Sequence, residues 1–162
     1  MGADAQPHDG RDETRTEQGD RQYGELLQEL RVMQTGVQVL FAFLLSVPFA
    51  QGFERLDAGQ RALYFAALLL AGLSIVLLLA PTAWHRFLFH LHDKPHLVAI
   101  SQRFAIAGLV SIGLTVVAVV ALISSVLYPG GVMIVATTAI AATAIVLWGV
   151  LPLRRRHDDT DT

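Results

Sequence analysis

The stretch FAIAGLVSIGLTVVAVVALISSVLYPGGVMIVATTAIAATAIVLWGVLPL, residues 104–153, contains no Asp, Glu, Lys, Arg or His. As a single helix it would extend about 75 Å at the usual rise per residue. A bilayer's hydrocarbon core is only about 30 Å thick and takes about 20 apolar residues to cross. The run is therefore two crossings, and Tyr128-Pro129-Gly130-Gly131 supplies the tight turn between them. Two shorter charge-free runs precede it, at residues 32–53 and 62–84. All three runs are apolar all round, not at helical or strand period, which marks helices that face lipid or one another. The expectation is an all-α membrane protein with four transmembrane helices, at about 32–53, 62–84, 104–127 and 132–153.

Working outward, 53% of the 162 residues are hydrophobic and none is cysteine, so disulfides and thiolate chemistry are excluded. The net charge of −2 hides a segregation, because eight of the fourteen acids precede Arg31 and three more lie in the last five residues. The one basic run, Arg154-Arg155-Arg156, closes a span, and nucleic-acid binding has no support. Residues 1–21 are acidic and polar, the reverse of a cleavable signal peptide, so the first span is expected to act as an uncleaved signal anchor. Gln6 stands where a myristoylation pattern needs Ser or Thr. Residues 1–20 carry no large apolar side chain beyond Met1, and a disordered acidic tail is expected there. From Arg21 the pattern changes: Tyr23, Leu26, Leu27 and Leu30 recur at helical spacing, with Glu25, Gln28 and Glu29 opposite. This predicts a short amphipathic helix, either lying on the membrane surface or forming the wet end of span one.

Lys and Arg counts give the orientation. Ten of the twelve fall in the N-terminal segment, in the middle loop with Arg86, Lys94 and Arg103, or in the C-terminal tail of residues 154–162. Only Arg55 and Arg61 fall in the other two connections. Both termini and an interfacial middle segment are thus expected in the cytoplasm. Trp84 and Trp148 then sit near cytoplasmic ends, and Tyr64 and Tyr128 near outer ends, at the interfaces amphipathic rings prefer. Pro48 is expected to kink span one near Leu44, and Pro81 to end span two and start a separate interfacial helix through His92. Small residues at Ala105, Gly108, Ser111 and Thr115, and at Ala136, Ala139, Ala142 and Thr143, predict a tight hairpin of spans three and four. No internal repeat is present to suggest an inverted-repeat transporter.

Candidate chemistry lies in four places. Gln34 and Gln38 share one face of span one and, as amides in hydrocarbon, should point into the bundle. They would either line a polar path or, the favoured reading, hydrogen-bond between helices. Glu25 and Glu29 share a face near the cytoplasmic entrance and are either proton acceptors or an ordinary solvated helix face, the latter favoured. His85, His90, His92 and His96 in the middle loop could sense pH or hold a metal, but their spacing matches no metal motif and interfacial filler is the plainer reading. Arg86, Arg154, Arg155 and Arg156 are placed to meet lipid phosphates. Hydrolase motifs, a phosphate loop and a His-Glu-x-x-His zinc site are absent, so no enzyme and no cofactor are expected.

Taken together, Glu25-Leu-Leu-Gln-Glu-Leu-Arg-Val-Met-Gln-Thr-Gly-Val-Gln-Val-Leu-Phe41, Pro48-Phe49, Gln60-Arg61, Ala80-Pro81 and His85-Arg86 resemble a bacterial family of small four-span membrane proteins without established function. Its members are often labelled sodium:proton antiporter. The resemblance covers residues 21–153 and implies four spans in the cytoplasmic membrane. Exchange of that kind uses a carboxylate inside the membrane, and no predicted span here holds one. The leading expectation is a self-associating accessory or stress-related component embedded in the lipid bilayer. The alternative is a monovalent cation or proton transporter acting as an oligomer.

Overall fold

The computed structural model describes residues 15–88, 94–128, 130–152 and 154, and among them there is no strand. Helix α1 runs Arg15–Ser46, followed by 3-10 turns at Val47–Phe49 and Phe53–Arg55. Helix α2 covers Ala58–Leu88, α3 Lys94–Leu127 and α4 Gly131–Ile145, the last continuing into a π-helical turn at Val146–Val150. Four segments are long and apolar enough to cross a membrane: Leu27–Phe49, Ala58–Ala83, Ile100–Leu127 and Gly131–Val150.

Helix α1 passes without interruption through residues 21–31, so this segment is continuous with the apolar helix that follows. Leu27 and Leu30 pack in one cluster with Val37, Leu78, Ala105 and Ile112, which ties the segment to the bundle. The helix also begins earlier than expected, and residues 15–20 are its first turns instead of part of a disordered tail. Glu, Gln and Arg are good helix formers, and extending an existing helix avoids the nucleation cost.

The prolines account for two further departures. Pro48 ends α1 where a kink within it was expected, lying in the turn Val47–Phe49 just after Ser46. The apolar segment of α1 long enough to cross a membrane is Leu27–Phe49, and its first turns include Glu29 and Arg31, both exposed. Gly52, with φ +108, then reverses the chain in a conformation that disfavours any side chain. Pro81, by contrast, does not break α2, which continues through it to Leu88. No separate helix starts at Pro81, and residues 89–92 of the expected interfacial helix lie outside the described residues. Pro81 is fully buried within the continuous helix.

The core belongs to three helices. Antiparallel α2 and α3 form the most extensive pair, with Gln60 level with Ser125, Leu70 with Ser111, and Leu78 with Gly108. Helix α1 packs on α2 and touches α3 lightly, whereas α4 contacts α3 alone among the helices. One cluster joins Leu44, Tyr64, Ala71 and Leu122, and the second joins Leu30, Val37 and Leu78. No residue of α4 is buried.

The small residues of α3 are therefore used differently from the expected α3–α4 hairpin. A Cβ at Gly108 would lie 2.7 Å from Leu78 Cδ2, so this glycine admits α2. Ser111 and Thr115 are also buried, while Ala139, Ala142 and Thr143 of α4 are exposed. The α4 contact includes Gly113, where a Cβ would lie 2.8 Å from Trp148 Cζ3. Outward positions carry Phe43, Leu69, Val76, Ile106 and Val135, all exposed, as a lipid-facing surface requires.

Candidate functional site

The polar groups within the bundle are organised around backbone carbonyls. A proline at position i denies a donor to the carbonyl at i−4. Pro48 thus leaves Leu44 without its helical partner, and the Tyr64 hydroxyl donates to that oxygen at 2.8 Å. Tyr64 is buried, and its ring stands edge-on to Phe53 with centroids 5.2 Å apart. Pro81 denies a donor to Leu77, and at the next carbonyl, Leu78, the Gln34 amide donates across from α1 at 2.7 Å. Pro152 would crowd the carbonyl of Trp148. There the helix widens, and the Leu151 N–H reaches Val146 O, five residues back.

Between α2 and α3, the Ser111 hydroxyl donates to Leu70 O at 2.9 Å and Ser74 donates to the same oxygen at 2.7 Å. Thr115 turns back to Ser111 O at 2.8 Å. At the far end Gln60 caps α2 against Asp57 and reaches Ser125 at 3.4 Å. Two buried hydroxyls, of Ser101 and Thr137, have no partner among the described residues.

The two glutamines expected to act together are separated. Gln34 is half-buried in the α1–α2 seam, whereas Gln38 is exposed on the outer side of α1 and has no hydrogen bond among the described residues. The buried line of α1 runs through Leu30, Val37 and Leu44, and Gln38 falls beyond its edge. Glu25 and Glu29 are exposed. Glu25 pairs with Arg21 of its own helix at 3.0 Å, a surface i,i+4 pair worth about 0.3–0.5 kcal/mol. Arg154 is exposed in the last helical turn. His90, His92, Arg155 and Arg156 lie outside the described residues, as do the side chains of His85, Arg86 and His96. The residues that sequence reading missed as bonding groups, Tyr64, Ser74 and Ser111, share one signal: a hydroxyl inside an apolar run must find a carbonyl.

Residues 12–152 match a family described as a family of unknown function (DUF6328), and the chain belongs to it. This agrees with the kind of family that span one resembles. No curated protein and no solved structure matches the chain.

Proposed function

We propose that this is a non-enzymatic, multi-pass protein of the bacterial cytoplasmic membrane, with both termini in the cytoplasm. It acts as a self-associating accessory component and does not carry ions. One observation carries this reading: the polar side chains of Gln34, Tyr64, Ser74, Ser111 and Thr115 all donate to backbone carbonyls. They serve helix association and, among the described residues, leave no set of convergent free groups for a hydrated ion. Among the described residues no carboxylate is buried, and proton-coupled exchange needs one that alternates between proton and cation inside the membrane. Arg86, Arg154, Arg155 and Arg156 anchor the cytoplasmic face to lipid phosphates.

The test is purified protein in liposomes carrying an internal pH dye. A sodium pulse should move no more protons than it does in empty liposomes. Robust sodium-dependent proton movement that is lost in Glu25→Gln or Glu29→Gln would replace this reading with the transporter.

A further inference from the structure

Helix α1 exposes a polar stripe beside the apolar Val32, Val39 and Phe43 on its surface. Its apolar Leu30, Val37 and Leu44 face the bundle, while Arg31, Thr35, Gln38, Ala42 and Ser46 are all exposed. These five are spaced by 4, 3, 4 and 4 residues and so form one stripe along the outward side. Thr35 and Ser46 satisfy their hydroxyls on their own helix, at Arg31 O and Phe43 O. Gln38 does not. It stands at the middle of the apolar segment Leu27–Phe49, so in an α1 that spans the bilayer its amide lies in hydrocarbon, away from both interfaces. An amide without a partner in hydrocarbon costs several kcal/mol.

We propose that this stripe is the contact surface for a second copy of the chain, with the two Gln38 amides paired across a twofold axis at mid-bilayer. The inference rests on the membrane reading above and names the surface used. A carboxamide is both donor and acceptor, so it is complementary to itself. In a second copy inserted the same way, Gln38 lies at the same depth, and parallel α1 helices bring the pair together without any shift. The flanking Thr35 and Ala42, at i−3 and i+4, are small enough for the backbones to approach. The contact is isologous and closes as a dimer. Helix α4 does not compete for this surface, since among the described residues it touches only α3 of the other helices.

The absence of cysteine permits a direct test. Single variants Thr35→Cys and Ala42→Cys, mildly oxidised in membranes of the expressing cells, should each give a disulfide-linked dimer. Phe43→Cys, one residue round the helix, and Val135→Cys on α4 should not. Gln38→Leu should weaken dimerisation about three- to thirty-fold, the range for an interhelical polar contact, and Gln38→Asn should retain most of it. The proposal is overturned if Ala42→Cys crosslinks no better than Phe43→Cys. It is equally overturned if Gln38→Leu dimerises like the parent while remaining resistant to carbonate extraction. Release of the parent chain by carbonate would instead remove the membrane reading, and this proposal with it.

Discussion

Tyr64 shows how one side chain sets the geometry of this bundle. Its hydroxyl takes the Leu44 carbonyl that Pro48 leaves without a helical donor. Tyr64→Phe should therefore lower stability in detergent by about 0.6–2 kcal/mol, read by thermal unfolding. In a Pro48→Ala background the restored N–H competes for the same oxygen, so the loss should shrink. An undiminished loss would show that the hydroxyl's role is unrelated to the proline. The two glutamines should separate in the same assay. Gln34→Leu should cost a similar amount because it abolishes the bond to Leu78 O. Gln38→Leu should leave the stability of the monomer unchanged, since its exposed amide makes no hydrogen bond among the described residues. Gly108→Ala should cost about 1–3 kcal/mol from overpacking against Leu78. Leu78→Ala in the same chain should recover part of that.

At the scale of elements, the number and type of helices were legible because hydropathy in a membrane is a strong signal: a charge-free run of given length has few alternatives. The boundaries were less so, and proline is the reason. Pro48 ends its helix, Pro81 is carried through and Pro152 is absorbed by a π turn. The residue is the same and its surroundings differ: Tyr64 reaches the carbonyl freed by Pro48, Gln34 bonds Leu78 beside the carbonyl freed by Pro81, and at Pro152 the helix itself widens. Tyr64 and Gln34 come from other helices, so a single span does not reveal them. Small residues had the same ambiguity: Gly108 and Ser111 mark a close helix contact, but not which helix makes it. Gln38 was expected inside because polarity argues for burial, and it lies outside because Leu30, Val37 and Leu44 define the inner line of α1. Helix α4 gives a prediction of its own. Gly113→Ala, which crowds Trp148, should be relieved by Trp148→Leu, as seen by restored thermal stability of the pair.

The molecule as a whole is a three-helix core with a fourth helix laid against α3, not a symmetric four-helix bundle. Because no residue of α4 is buried, a chain ending after Tyr128 should keep the α1–α3 core, with protease resistance of residues 27–127 close to that of the parent. Loss of that resistance would mean that α4 stabilises the core through more than the contact at Gly113. The central claim is that the chain crosses the bilayer four times, and impermeant thiol labelling of single-cysteine variants in intact cells tests it most directly. Asp57→Cys and Tyr128→Cys should label from outside, whereas Lys94→Cys and Thr162→Cys should label only after lysis. If Asp57→Cys and Lys94→Cys label from the same side, the span between them does not cross and the four-span fold is wrong.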